Sequence, residues 1–138
     1  MRNLFLTAGA AVGATLGWLL GDIDTPIKVL GTAMALDYVL GLCVAGLVHK
    51  SNKSATGGLS SKASIKGLAK KFGMLGMVIL ANLLDTLAGT TVIRSGACFC
   101  LLANESLSIV ENLGLLGVPI PTIVKNSIEL LMEKEGKL

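Results

Sequence analysis

Charge is scarce in this chain: Asp, Glu, Lys and Arg together make up 15 % of 138 residues. Soluble domains carry nearer a quarter, so a water-facing surface of ordinary size is excluded. Proline occurs 3 times, and glycine follows no G-X-Y repeat, which excludes a disordered linker and collagen. Cysteine is represented only by Cys43, Cys98 and Cys100, an odd number with no C-x-x-C spacing. Neither a disulfide framework nor a zinc site is expected from them, and they read as small hydrophobes. The sole histidine, His49, stands beside Lys50 at the edge of an apolar segment. With no nucleophile elbow and no phosphate-binding loop, an enzyme is not expected, nor a metal or cofactor. What the chain has instead is 52 % hydrophobic residues, 17 glycines and a mean hydropathy of +0.73. That balance points to the membrane.

One domain of all-α integral membrane type is expected over residues 1–138, with about four transmembrane helices. The spans run from about 4–21, 27–48, 73–93 and 96–118, followed by a tail over 119–138. Each is near the ~20 residues that cross a hydrocarbon core of about 30 Å. The first follows Met1-Arg2-Asn3 and resembles a signal peptide. Its apolar run is longer than such signals use, however, and it lacks a clean small-x-small end, so a retained helix is expected. Arg94-Ser95 is the expected hinge between the third and fourth spans. Pro119 and Pro121 end the fourth. Beyond them Val124, Ile128 and Leu131 recur at i, i+4, i+7, as in a short amphipathic helix.

The net charge of +3 is unevenly placed: Lys50, Lys53, Lys62, Lys66, Lys70 and Lys71 lie between His49 and Phe72 with no acid among them. Nucleic acid is not needed to explain this run, because basic loops between spans collect on the cytoplasmic side. Both termini are then cytoplasmic, and Asp22 and Asp24 lie outside. The segment from Ser64 to Phe72 is expected as a separate surface helix, with Lys62, Lys66, Lys70 and Lys71 at anionic lipid headgroups. The fourth span is polar enough that lying along the membrane remains an alternative.

Four acids stand inside the spans: Asp37, Asp85, Glu105 and Glu111. Each costs about 2.5–3.5 kcal/mol near the bilayer centre, so they must be protonated, paired or turned to a polar interior. Gly96, Cys100, Asn104, Ser108 and Asn112 recur every four residues, with Glu111 within that ridge and Glu105 at its margin. Ala33, Asp37, Gly41 and Ala45 repeat likewise, as do Ala81, Asp85 and Gly89, with Asn82 one turn from Asp85. The expected pore-lining or polar-interface set is therefore Asp37, Asn82, Asp85, Asn104, Glu105, Ser108, Glu111 and Asn112. Gly9, Gly13, Gly17 and Gly21 form a continuous GxxxG face, suited to close helix packing within the chain or between copies. Gly41 and Gly89 join them as expected packing positions.

These elements resemble a known family. Asp37-Tyr38-Val39-Leu40-Gly41 is similar to the D-Y-x-x-G element of the bacteriophage holin family that includes the clostridial toxin-secretion holins. Ser64-Ile65-Lys66-Gly67-Leu68-Ala69-Lys70-Lys71 resembles that family's S-x-K-G-L-x-K-K segment, and Leu83-Leu84-Asp85 its L-L-D. Residues 103–112, followed by Gly117-Val118-Pro119-Ile120-Pro121, resemble its N-E-x-x-S-I-x-E-N and G-x-P-x-P signature. The resemblance implies a protein that oligomerises in the host cytoplasmic membrane and opens holes at a programmed time, releasing endolysin or toxin and lysing the cell. It implies further copies of the chain and anionic lipids as partners, with an antiholin as a candidate regulator. Two features depart from the family. The next methionine after Met1 is Met34, so there is no nearby second start, and the tail is neutral rather than strongly basic. The rival expectations are a small proton-coupled transporter and a non-conducting scaffold subunit.

Overall fold

The computed structural model describes residues 1–49 and 55–135; Lys50, Lys53 and the end of the tail lie outside them. Five α-helices follow one another: α1 Arg2–Leu20, α2 Thr25–Cys43, α3 Ser61–Ala88, α4 Val92–Leu115 and α5 Thr122–Glu135. A widened π turn, Val44–Val48, prolongs α2. The first four are long and apolar enough to cross a membrane, so the expected all-α membrane architecture is the one observed.

Short polar side chains set the helix starts. The Asp24 carboxylate accepts the Ile27 N–H at 3.4 Å, and Pro26 occupies the first turn of α2, where its missing N–H costs nothing. Ser60 accepts the Ala63 N–H at 3.4 Å and opens α3. Gly89, at φ 67, turns the chain out of α3 in the left-handed conformation that glycine tolerates best. The hinge is therefore Gly89–Thr91 rather than Arg94-Ser95, and Arg94 belongs to the first turn of α4. Nor is α3 divided: the expected surface helix and the third span form one 28-residue helix, because Gly73 carries no obligation to break a helix that neighbours support.

α2, α3 and α4 make the bundle, with α4 packed against both others. Its core joins Leu30 and Met34 of α2, Met74 and Val78 of α3, and Cys98 of α4. Large apolar side chains such as Val39, Leu80, Leu84 and Phe99 point outward, as lipid-facing positions should. In lipid those outward residues supply no force drawing helices together, so specific packing and polar contacts must align the spans. α5 lies against α4, burying Ile128.

α1 stands apart, with no buried residue, and among the helices its backbone runs close only to α3. Gly9, Gly13 and Gly17 face no neighbouring atom within 4 Å. Gly21 differs: it sits at φ 78, and a Cβ there would lie 2.6 Å from Asn82 Oδ1. Of the glycine face, only this last member meets the rest of the chain closely. Gly89 serves as a turn rather than a packing position, and Gly41 borders the cleft described below.

Candidate functional site

The buried faces of the three bundle helices follow alternating three- and four-residue steps. On α3 the face runs Lys71, Met74, Val78, Ala81, Asp85; on α4 it runs Arg94, Cys98, Leu101, Glu105, Asn112. Asp37 lies on the corresponding face of α2, seven residues after Leu30. At about 100° per residue these steps hold one direction along a helix. They bring charged residues from all three spans to one level.

At that level the Lys71 ammonium lies between two carboxylates. It donates to Asp37 Oδ2 at 2.6 Å and also to Glu105 Oε2. The side chains of Lys71, Asp37 and Glu105 are 11 %, 5 % and 2 % exposed. Asn112 Nδ2 donates to Asp37 Oδ1 at 3.0 Å, so both oxygens of that carboxylate are engaged. Among the described residues no buried side-chain nitrogen or oxygen lacks a hydrogen-bond partner. The group can do two things chemically. It offsets one of the two carboxylate charges inside a low-dielectric bundle, and it ties α2, α3 and α4 together at a single ammonium. Removing one partner of such a buried pair costs about 3–5 kcal/mol, since the remaining charge is stranded.

A second polar group closes the opposite end of the bundle. The Asp85 carboxylate accepts the Ile93 and Arg94 N–H groups at 3.1 and 2.8 Å, and the Thr90 hydroxyl at 2.5 Å. An acid in the last turn of α3 thereby caps α4, satisfying donors the helix cannot satisfy itself. The Arg94 guanidinium continues the group. It donates to the Leu20 and Asp22 carbonyls at 3.1 and 3.0 Å and pairs with Asp24 at 2.5 Å. Asn82 Nδ2 reaches the Trp18 and Leu19 carbonyls at 3.3 and 3.1 Å. These contacts attach the end of α1 to α3 and α4.

Between the lysine-bearing ends of the helices lies a cleft of about 600 Å³. Asp37, Tyr38 and Gly41 of α2 border it, as do Lys66, Gly67, Lys70 and Lys71 of α3. Asn104, Leu107, Ser108 and Glu111 form its α4 wall.

The eight residues expected at a polar interface thus divide into three groups. Asp37, Asn104, Ser108 and Glu111 share the cleft, Glu105 and Asn112 are buried beside it, and Asn82 and Asp85 hold the far end. The ridge from Gly96 to Asn112 does not form one face. Steps of four advance about 40° beyond a full turn each time, so its members wind around α4, leaving Asn104 exposed and Asn112 buried. Lys71 departs most from expectation, pointing between helices rather than at lipid headgroups. Continuing the Ala81–Asp85 stripe toward the N-terminus in steps of three and four reaches Lys71, a signal the sequence does contain. Arg94 is expected only as part of the hinge before the fourth span, and its proximity to Asp24 has no local sequence signal. Among the described residues, no cluster of three or more His, Cys, Asp or Glu could hold a metal ion.

Comparison with known proteins extends the geometry. Uncharacterized proteins of Listeria monocytogenes and Clostridium acetobutylicum are 37 % and 35 % identical to the chain. The first alignment covers 91 % of this chain and 84 % of the relative, the second 85 % and 89 %. An uncharacterized 14.9 kDa protein of Clostridium perfringens is 33 % identical, over 91 % of this chain and 90 % of its own. No solved structure matches at a significant level. The model of the bacteriophage holin family matches residues 14–133, from the middle of α1 to the last turns of α5. Three apolar spans folded round a charged interior, with a fourth beside them, are thus those of a multi-pass membrane protein, and the chain belongs to the bacteriophage holin family.

Proposed function

We propose that the chain accumulates in the host cytoplasmic membrane as a closed bundle, then oligomerises and opens holes that let endolysin or toxin pass. The observation that carries this reading is the gathering of Asp37, Lys71 and Glu105 beside a polar-walled cleft. A plain anchor gains nothing from charges that cost about 2.5–3.5 kcal/mol each in a bilayer. In the closed bundle the lysine pairs with both carboxylates and offsets one of their two charges. In an oligomer the bundle helices separate at this level, the ion pairs part, and Asp37, Glu105, Asn104, Ser108 and Glu111 contribute to a wetted wall. The exposed small-residue face of α1, around Gly9, Gly13 and Gly17, supplies a surface where copies approach closely. The positive-inside rule places the lysine-bearing end, and with it both termini, in the cytoplasm.

A second reading, proton-coupled transport, is favoured by the compactness of the Asp37–Lys71–Glu105 group, since a transporter needs its carboxylates at one site. Induced expression separates the two. A potential-sensitive dye and the release of a co-expressed cytoplasmic enzyme are followed together in a bacterium. A hole-former gives sudden depolarisation with enzyme release after a delay. Potential preserved through full accumulation would sink the proposal and leave the transporter or a non-conducting scaffold.

A further inference from the structure

We infer that the cleft between α2, α3 and α4 is a binding site for one anionic glycerophospholipid, its phosphate held by Lys66 and Lys70. This inference stands apart from hole formation and holds for the closed bundle whether or not it opens. Three observations carry it: the position of the cleft, its charges and the shape of its floor.

Position comes from the helix rise. At about 1.5 Å per residue, the step from Arg94 to Glu105 is about 16 Å, roughly half of a 30 Å hydrocarbon core. The cleft begins near this depth beside Lys71 and continues through Ser108 and Glu111 toward the lysine-bearing surface. Lys66 stands about 8 Å nearer that surface than Lys71, and the aliphatic stems of Lys66 and Lys70 carry their ammonium groups farther toward the headgroups. The cleft therefore opens into a single leaflet, where lipid is the concentrated ligand.

Charge comes from lysines of different standing. Lys71 is committed to Asp37 and Glu105, whereas Lys66 and Lys70 form no ion pair among the described residues. They stand one turn apart on α3, so both line the cleft from one side and suit a single phosphodiester. Facing them, Ser108, Asn104 and Glu111 offer acceptors to hydroxyl groups. A headgroup combining a phosphate with hydroxyl donors, as in phosphatidylglycerol, satisfies both walls.

Shape comes from small and apolar residues. Gly67 and Gly41 widen the cleft, and a Cβ at Gly67 would already stand 4.0 Å from the Tyr38 ring. Leu42 and Leu107 add apolar lining. A soluble phosphate has no use for that surface, but the first methylenes of an acyl chain do.

The test uses native mass spectrometry of the full chain released from detergent micelles containing phosphatidylglycerol, phosphatidylcholine or free glycerol phosphate. One phosphatidylglycerol per chain is expected to survive, in preference to phosphatidylcholine. The Lys66→Gln/Lys70→Gln variant should weaken its retention about thirtyfold. Gly67→Leu, which fills the cleft without changing charge, should also expel it. The control Lys125→Gln/Lys134→Gln removes two exposed lysines outside the cleft and should retain it. Unchanged helix content by circular dichroism is required of each variant. Equal loss in the control would show diffuse attraction and overturn the site, as would full retention by Gly67→Leu. Equal retention of phosphatidylcholine would overturn the charge selectivity. Binding of glycerol phosphate as strong as that of the lipid would reassign the cleft to a soluble anion and overturn the inference.

Discussion

Replacing Lys71 with methionine removes the ammonium that, among the described residues, contacts both Asp37 and Glu105, while keeping a side chain of similar length. Glu105, 2 % exposed, then lies in the closed bundle without this cation. Stranding a buried charge in this way costs about 3–5 kcal/mol. In the proposed open state the same carboxylates face water, and the loss of the lysine costs little there. The closed form alone is penalised, which shifts the equilibrium toward opening by roughly 10²- to 10³-fold or more. Depolarisation should therefore come earlier after induction and at a lower amount of protein per cell, read with a potential-sensitive dye alongside quantitative immunoblotting. A companion variant separates this from misfolding. Lys71→Met combined with Asp37→Asn and Glu105→Gln removes the whole charge set, and such complete replacements are often close to neutral. Its timing should move back toward that of the unmodified chain. Unaltered timing in Lys71→Met at normal abundance would refute the reasoning, as would a combined variant as premature as the single one.

Other substitutions probe the remaining parts. Glu111→Leu changes an exposed residue of the cleft wall, so it should leave the SDS unfolding midpoint unaltered while shifting the onset of lysis. Asp85→Ala removes the acceptor for two N–H groups at the start of α4. It should lower that midpoint more than Asp85→Asn, which keeps one acceptor oxygen. Gly21→Ala should destabilise the chain, because its Cβ would meet Asn82 Oδ1 and its φ is left-handed. Gly13→Leu should leave unfolding unchanged, and reduced cross-linking between copies in this variant would place self-association on the α1 face.

Much of the architecture is written in the sequence because lipid imposes simple rules on length and hydropathy. The four spans and the amphipathic α5 follow from them directly. The division of α3 did not, because Ser64 to Phe72 alternates lysines with Ile65, Leu68 and Phe72 as a surface helix does. A helix emerging from the bilayer carries the same pattern, its lysines reaching for water along aliphatic stems. The intramembrane acids were legible as a problem, since each must be compensated. Their partners were harder to see. Lys70 and Lys71 are adjacent and both border the cleft, yet only Lys71 turns in to the two carboxylates; the 100° between them is the whole distinction. Arg94 illustrates the opposite limit. Its partner Asp24 is 70 residues away, and only the tertiary arrangement of α1, α2 and α4 brings them together.

The contact between Asp85 and the start of α4 bears on how the chain enters the membrane. The most apolar eighteen-residue stretch of α4 is less apolar than those of the other three spanning helices, with a mean hydropathy of 1.2. The first-turn N–H groups of α4 are satisfied by an acid that the ribosome has already added as part of α3. The acid in turn gains the Ile93 and Arg94 donors only once α4 has begun. Each segment thus lowers the cost of burying the other, and α3 and α4 are best inserted together as a helical hairpin. A sequence that would be a hesitant passenger alone crosses the bilayer as the second limb of a preassembled pair.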